Sequence, residues 1–282
     1  MEKTTQRKFI RMADILTSKG YRIGQEIGEG TYSKVRTVEK TSDGNTYAVK
    51  IVDRAKVRKD YLKKFMPREL EIIPLLKHEN VINTFEIIQT RDFVFQVMEY
   101  AEKGDVLQLI HRQGFLPEEK CKNIFRDISK GIKYMHDLNI AHRDLKCENI
   151  LIFHDNRAAV SDFGFSRAFD STSNVITCQT FCGSSAYASP ELLRGIPYDP
   201  KLNDAWSLGI ILFTMLNGSM PFPDGNVTRM VQKQLSRDYQ FSERLQDKVS
   251  AGPRQTVFRT LDPNINSRPT CADILEMDWL KT

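Results

Sequence analysis

The run Ala141-His142-Arg143-Asp144-Leu145-Lys146-Cys147-Glu148-Asn149 sets an acid, an amine and an amide at positions 144, 146 and 149. An apolar stretch follows, then Asp162-Phe163-Gly164. A carboxylate at 144 can orient a hydroxyl and accept its proton. The ammonium of Lys146 can neutralise a phosphoryl group in transit. Oxygens from Asn149 and Asp162 suit a hard divalent cation such as Mg²⁺. Together these groups can carry out phosphoryl transfer to a hydroxyl. Polar loop residues in chance register are the competing explanation, and each further ordered member weakens it.

Three further pieces belong with such chemistry. Gly28-Glu29-Gly30-Thr31-Tyr32-Ser33-Lys34-Val35 is a glycine loop between two apolar segments. Its glycines let backbone N–H groups approach phosphate, although an ordinary glycine hairpin would read the same way. Lys50 stands in Tyr-Ala-Val-Lys-Ile, where a lone lysine is usually a solvated edge residue. A phosphate-gripping lysine needs a carboxylate to hold its stem, and Glu69 and Glu71 both qualify. Arg143, beside the acid, calls for an anionic partner. A phosphate on Thr180 would supply one, whereas Thr180 as a plain loop hydroxyl would not.

The elements that must position these groups follow from pattern. Strands are expected from Tyr21, over Val35–Val38, over Thr46–Val52 after the Ser42-Asp43-Gly44-Asn45 turn, and over Phe85–Ile88 and Phe93–Tyr100. A helix is expected over 60–76, starting just before Pro67 because proline is tolerated only in a first turn. After Gly104 helices dominate. Cys121, Ile124, Phe125, Ile128, Ile132 and Met135 share one face of a long helix opening at Pro117. Leu208–Leu216 is apolar all round, as in a buried helix, and further helices are expected near 226–235, 254–261 and 271–277. Strands first and helices after imply an α+β chain with two lobes and a cleft. The boundaries are a basic tail over 1–20, a small lobe over 21–100, a hinge over 99–103 and a helical lobe over 104–280. Phe9, Met12, Ala13 and Leu16 have helical spacing, but a frayed N-terminal tail is the stronger expectation.

Composition excludes several classes. With 41 basic against 36 acidic residues spread along the chain, nucleic-acid and membrane binding are not expected. No N-terminal apolar core suits a signal peptide, and Glu2 excludes N-myristoylation. The five cysteines are odd in number and lack a Cys-x-x-Cys, which points to a reduced cytosolic or nuclear setting. Cys147 is read as a packing residue within reach of electrophiles. Cys178 and Cys182 are read as incidental thiols rather than a redox pair.

Read together, these motifs resemble the protein kinase superfamily over nearly all of 21–280. The chain is similar to the calcium/calmodulin-dependent kinase group and, more narrowly, to the testis-specific serine/threonine kinases. The narrower resemblance rests on Gly28 to Val35, Phe65-Met-Pro-Arg-Glu69, His142 to Asn149 with Cys147, Thr180-Phe-Cys-Gly-Ser184, Gly195-Ile-Pro-Tyr-Asp-Pro-Lys201 and Gly218-Ser-Met-Pro-Phe222. The departures are Ser33 for the third glycine, Ser189 in Ser-Pro-Glu, and Asn203 before Asp204. None removes a catalytic group.

The resemblance implies a small β-rich lobe with one main helix above a larger helical lobe. It selects Glu69 as the partner of Lys50, and it implies Asp144 as base and Lys146 as a phosphoryl contact. It implies serine/threonine substrates, with Ser184 bridging Asp144 and Lys146. It implies an ATP pocket of Ile27, Gly28, Glu29, Gly30, Thr31, Tyr32, Ser33, Val35, Ala48 and Lys50. Met98 as gatekeeper, the backbones of Glu99 and Ala101, Asp105 for ribose or a basic substrate side chain, and Leu151 as floor complete it. Glu191 should pair with Arg268, and Asp204 should cap the catalytic loop's backbone. Ile73, Phe85, His142 and Phe163 should stack between the lobes as core packing, with His142 packed rather than acting as a base. The implied cofactors are ATP and Mg²⁺. The resemblance implies a role in sperm development, with sperm proteins as substrates and either an upstream kinase or autophosphorylation, for a monomer of the cytoplasm, or also the nucleus, of germ cells or sperm. No calmodulin-binding segment follows Trp279-Leu280, so calcium control in cis is not expected. A scaffold that binds partners without catalysis is the rival reading, supported only by the altered glycine loop. A small-molecule kinase fits poorly with the loop from Thr180 to Glu191.

Overall fold

The computed structural model describes residues 2–30, 33–169, 178, 183–222 and 225–281, with the backbone alone over 2–9. The chain divides into two compact units, one of residues 1–67 and 82–101, the other of residues 68–81 and 102–282.

The first unit opens with helix α1 (Glu2–Ser18). This corrects the expected frayed tail. Leu16 is fully buried among Tyr21, Val38, Val49 and Phe95, with Met12 and Ile15 against the same cluster. Positions 12, 15 and 16 share one helical face, and burying Leu16 contributes about 2 kcal/mol. Arg11 adds an ion pair to Asp92 at 2.6 Å. The helix ends at Gly20, whose φ of +81° reverses the chain at little steric cost.

Strands β1 (Tyr21–Glu29), β2 (Ser33–Lys40), β3 (Thr46–Asp53), β4 (Thr84–Gln89) and β5 (Phe93–Met98) follow. They form one antiparallel sheet in the order β1-β2-β3-β5-β4. β5 is paired on both edges and buried along its whole length, which explains why it is apolar except at Gln96, whose Nε2 donates to Thr84 Oγ1 at 2.8 Å. Phe85 is a correction. It sits at a register shift between Thr84 and Glu86 on the edge strand, is 52% exposed, and meets the Tyr47 ring in a T-shaped contact at 5.0 Å. A bulge re-aims a side chain in this way, so Phe85 is not a core residue.

The helix expected to begin just before Pro67 begins earlier. A π turn spans Tyr61–Phe65, followed by α2 (Met66–Ile72) and a 3₁₀ turn over Ile73–Leu75. Pro67 has no N–H and its ring crowds the carbonyl of the preceding turn, so the wider π spacing there relieves the clash. The stretch after Pro67, grouped with the strands on sequence grounds, bonds to residues of the second unit. Lys77 N donates to Tyr134 Oη at 2.9 Å, Asn80 Nδ2 to Ala158 O at 3.0 Å, and Val81 bridges Val160.

The second unit continues with α3 (Val106–Gln113), α4 (Glu118–Asp137), β6 (Ile140–Ala141), β7 (Ile150–Ile152), β8 (Ala158–Val160) and β9 (Arg167–Ala168). Then come α5 (Pro190–Leu193), α6 (Pro200–Asn217), α7 (Val227–Ser236), α8 (Ala251–Thr260), α9 (Cys271–Leu275) and α10 (Asp278–Lys281). The apolar face of α4 is buried as its spacing requires, and α6 is buried almost throughout. Asp199 caps α6 through Lys201 N at 2.8 Å, and Pro200 opens it. At Gly209 a Cβ would collide with Thr260 and Leu261, so the glycine sets how closely α6 and α8 approach. Among the described residues no helix is long and apolar enough to cross a membrane.

Candidate active site

Two short two-stranded sheets hold the motif. β6 pairs with β9, and β7 pairs with β8, so residues 142–149 form the loop between β6 and β7. The loop's shape is imposed from below by Asp204 of α6, which is fully buried. Asp204 Oδ2 accepts from His142 N at 2.8 Å, and its Oδ1 from Arg143 N at 2.8 Å. Its Oδ2 also lies 2.9 Å from His136 Nε2. Sequence reasoning anticipated the backbone contacts and missed His136. The signal was there: His136 lies four residues after Ile132 on the buried stripe of α4.

This anchoring holds a strained backbone. Arg143 and Asp162 have φ of 67° and 64°, a region that costs a non-glycine residue about 1 kcal/mol or more. His142 is fully buried, its Nε2 lies 3.0 Å from Ser161 O, and its ring meets Phe163 edge-on at 5.8 Å. It is a packed histidine.

The Asp144 carboxylate is buried and held at both oxygens. Oδ1 accepts from Ser184 N at 2.8 Å and Ser184 Oγ at 3.0 Å. Oδ2 lies 3.2 Å from Lys146 Nζ, which donates to Ser184 Oγ at 3.4 Å. Ser184 thus ties the acid to the amine. Asn149 is fixed by donation from Nδ2 to Asp144 O at 2.8 Å. The structure therefore gathers Asp144, Lys146, Asn149 and Ser184 into one bonded group with a rigid base.

Gly183 makes this approach possible. Its φ is +88°, and a Cβ there would run into Arg143 O and lie 3.2 Å from Asp144 Oδ1. Gly183→Ala is expected to lower stability by about 2 kcal/mol or more and to slow turnover. Gly195→Ala, at a φ of +69° with open space around it, should cost only about 1 kcal/mol and leave turnover unchanged. Thermal unfolding and kcat of the two variants check this.

Arg143 is buried, with Nε donating to Phe165 O at 2.8 Å and Nη1 3.9 Å from Cys178 Sγ. Cys178 exchanges two backbone hydrogen bonds with Tyr198, at 2.9 and 3.1 Å. The contact between Arg143 and Cys178 had no signal in the sequence. Thr180 and Cys182 lie outside the described residues, as do Thr31 and Tyr32.

Cys147 is fully buried, which corrects its expected reach by electrophiles; burial also pushes its thiol up to about 12. Its N–H points to Tyr187 Oη at 3.4 Å. Cys121, Cys147, Cys178 and Cys271 are free and buried. Asp105 caps α3 through Gln108 N at 2.8 Å, and burial raises its pKa. Leu151 lies in β7 opposite Ala159.

Glu191 of α5 and Arg268 form a bidentate pair at 2.6 and 3.0 Å. Ser189 and Asn203, two departures from the kinase pattern, meet each other: Ser189 N donates to Asn203 Oδ1 at 3.1 Å.

In the first unit the other candidates sit in register on the sheet. Gly28 pairs with Val35, and Val35 with Lys50. Ala48 pairs with Met98, and Lys50 with Gln96. Gly30 N donates to Ser33 O at 2.8 Å, which closes the base of the glycine turn. Glu99 N donates to Asn83 O at 3.0 Å. Glu69 lies in α2 of the second unit's sequence and is 6% exposed.

Comparison with known proteins agrees with this arrangement. The family profile described as "Protein kinase domain" matches residues 21–280. The mouse testis-specific serine/threonine-protein kinase 1 is 42% identical over 274 residues, covering 95% of this chain and 74% of that protein. The human testis-specific serine/threonine-protein kinase 3 is 39% identical over 95% of this chain and 99% of its own length. The rice CBL-interacting protein kinase 31 is 35% identical, over 93% of this chain and 57% of that protein. The chain belongs to the protein kinase family and within it is similar to the testis-specific serine/threonine-protein kinases.

Proposed function

We propose that this chain transfers the γ-phosphoryl group of ATP to serine and threonine hydroxyls of proteins, with activity switched on by phosphorylation of Thr180. The observation that carries the reading is the doubly held Asp144 carboxylate, bonded to Ser184 and beside Lys146. In the reaction the substrate hydroxyl oxygen bonds to the γ-phosphorus as the bond to the β,γ-bridging oxygen breaks, and ADP leaves. Asp144 orients that hydroxyl and receives its proton late, while Lys146 balances charge on the moving phosphoryl group. Lys50 grips the α- and β-phosphates and Glu69 keeps its sequence-assigned role. The backbone of Gly28 to Ser33 covers the phosphates, and Ile27, Val35, Ala48, Met98, Glu99, Ala101, Asp105 and Leu151 serve the nucleoside.

Mg²⁺ supplies neutralisation of phosphate charge. Asn149 and Asp162 fit it, because both offer hard oxygens and the Nδ2 of Asn149 is already spent on Asp144 O. Among the described residues no group of three or more His, Cys, Asp or Glu is placed to hold a metal alone. Phosphate and water would complete the shell, as Mg²⁺ prefers.

The Thr180 switch is supported by Arg143, a buried guanidinium that already reaches Cys178, two residues before Thr180. Thr180→Ala is expected to lower kcat about tenfold or more while the Kd for ATP stays within twofold. Steady-state kinetics with nucleotide titration decide it; unchanged turnover removes the switch. The names of the relatives, testis-specific serine/threonine-protein kinases, support a role in the testis, which we extend to sperm development. A chain-specific antibody on testis sections tests that placement.

A further inference from the structure

We propose that Arg36, through Gly24 and Glu26, is a positioning residue for the glycine loop and tunes ATP affinity without touching nucleotide. The inference rests on the reading of residues 28–33 as the phosphate cover.

The β1–β2 ribbon that carries the loop is irregular. Its register shifts between Ile23 and Glu26 and again between Glu26 and Gly28. Such shifts leave backbone groups without ladder partners and free the ribbon to twist. Arg36 compensates on the opposite strand. Its Nε and Nη2 both donate to Gly24 O, at 3.1 and 2.7 Å. Its Nη1 reaches Glu26 Oε2 at 3.3 Å. The same carboxylate takes Lys34 Nζ on Oε1 at 2.9 Å, and Lys34 lies 3.5 Å from Glu29. One chain of contacts therefore spans both irregular steps and ends one residue short of Gly30.

Glycine at 24 belongs to the same device. A Cβ there would collide with the Thr37 side chain, so only glycine lets β2 come this close. Arg36 is 18% exposed, which shields its contacts from water more than an open surface pair would be. A planar guanidinium holds a carbonyl and a carboxylate in one fixed geometry, whereas an apolar side chain holds neither. The outcome is a fixed twist over residues 24–29, the stretch that leads into the loop.

The ribbon contains its own control. Arg22 and Glu39 form a cross-strand ion pair at 2.5 Å at the far end of the same two strands. The test is the Kd of Mg-ATP by isothermal titration, with KM for ATP and kcat on a basic protein, for wild type, Arg36→Met and Arg22→Met. Arg36→Met should raise both Kd and KM about fivefold with kcat within twofold, and Arg22→Met should change none of them. Equal values for Arg36→Met and wild type overturn the proposal. So does an equal rise in Arg22→Met, which would show general loosening of the ribbon. A wild type that binds no ATP overturns the phosphate-cover reading itself, an outcome distinct from both.

Discussion

Asp144→Asn should abolish measurable turnover, with kcat falling roughly a thousandfold and the Kd for ATP within twofold. The substitution keeps shape and removes the acid. An amide oxygen can still accept from Ser184 N, so the loop from 183 to 187 keeps its seat. The loop's backbone also stays in place, because it hangs on Asp204 and not on the side chain of Asp144. What is lost is the group proposed to orient and deprotonate the hydroxyl, together with the anion opposite Lys146 at 3.2 Å. Unaltered unfolding temperature with lost kcat would separate this chemical role from a structural one.

Arg268→Ala should produce the largest loss of stability, about 3–5 kcal/mol. The Arg268 side chain is fully buried and Glu191 nearly so. Removing the cation strands a buried carboxylate that had two bonds to it. Three other contacts go with it: Nε to Asp262 O at 2.9 Å, Nη1 to Leu202 O at 3.2 Å, and the guanidinium 5.0 Å from the Trp206 ring centre. One side chain thus joins α5, α6 and the segment after α8. Tm should fall by about 10 °C or more. The double variant Glu191→Met/Arg268→Met should recover most of that loss, because an apolar pair carries no desolvation penalty. A Tm change under about 2 °C in the single variant would mean the pair adds nothing to the fold.

Much of this molecule was readable because its chemistry is local in sequence. Asp144, Lys146 and Asn149 lie within one loop, so spacing alone brought them together. The pairings of Glu191 with Arg268 and of Asp204 with the loop backbone span long separations, and the family resemblance supplied them. What escaped depended on burial or on irregular backbone. The α1 helix carries only a narrow apolar stripe, and its stability comes from Leu16 docking on a sheet that sequence periodicity does not describe. Phe85 reads as a core aromatic, but a one-residue bulge turns it outward. The thiol of Cys147 adjoins Asp144, Lys146 and Asn149 in sequence, yet it is fully buried beside Tyr187. The π turn before Pro67 shows the same limit: propensity forbids proline inside a helix, and a local change of helical spacing admits it.

The most direct test of the kinase reading is transfer of label from γ-labelled ATP to a generic basic protein, followed by phosphoamino-acid analysis. Wild type with Mg²⁺ should place label on serine and threonine, and label should vanish with Asp144→Asn or with a chelator. Equal labelling by Asp144→Asn, or ATP binding by wild type with no transfer, would contradict the account and favour a scaffold that binds nucleotide without using it.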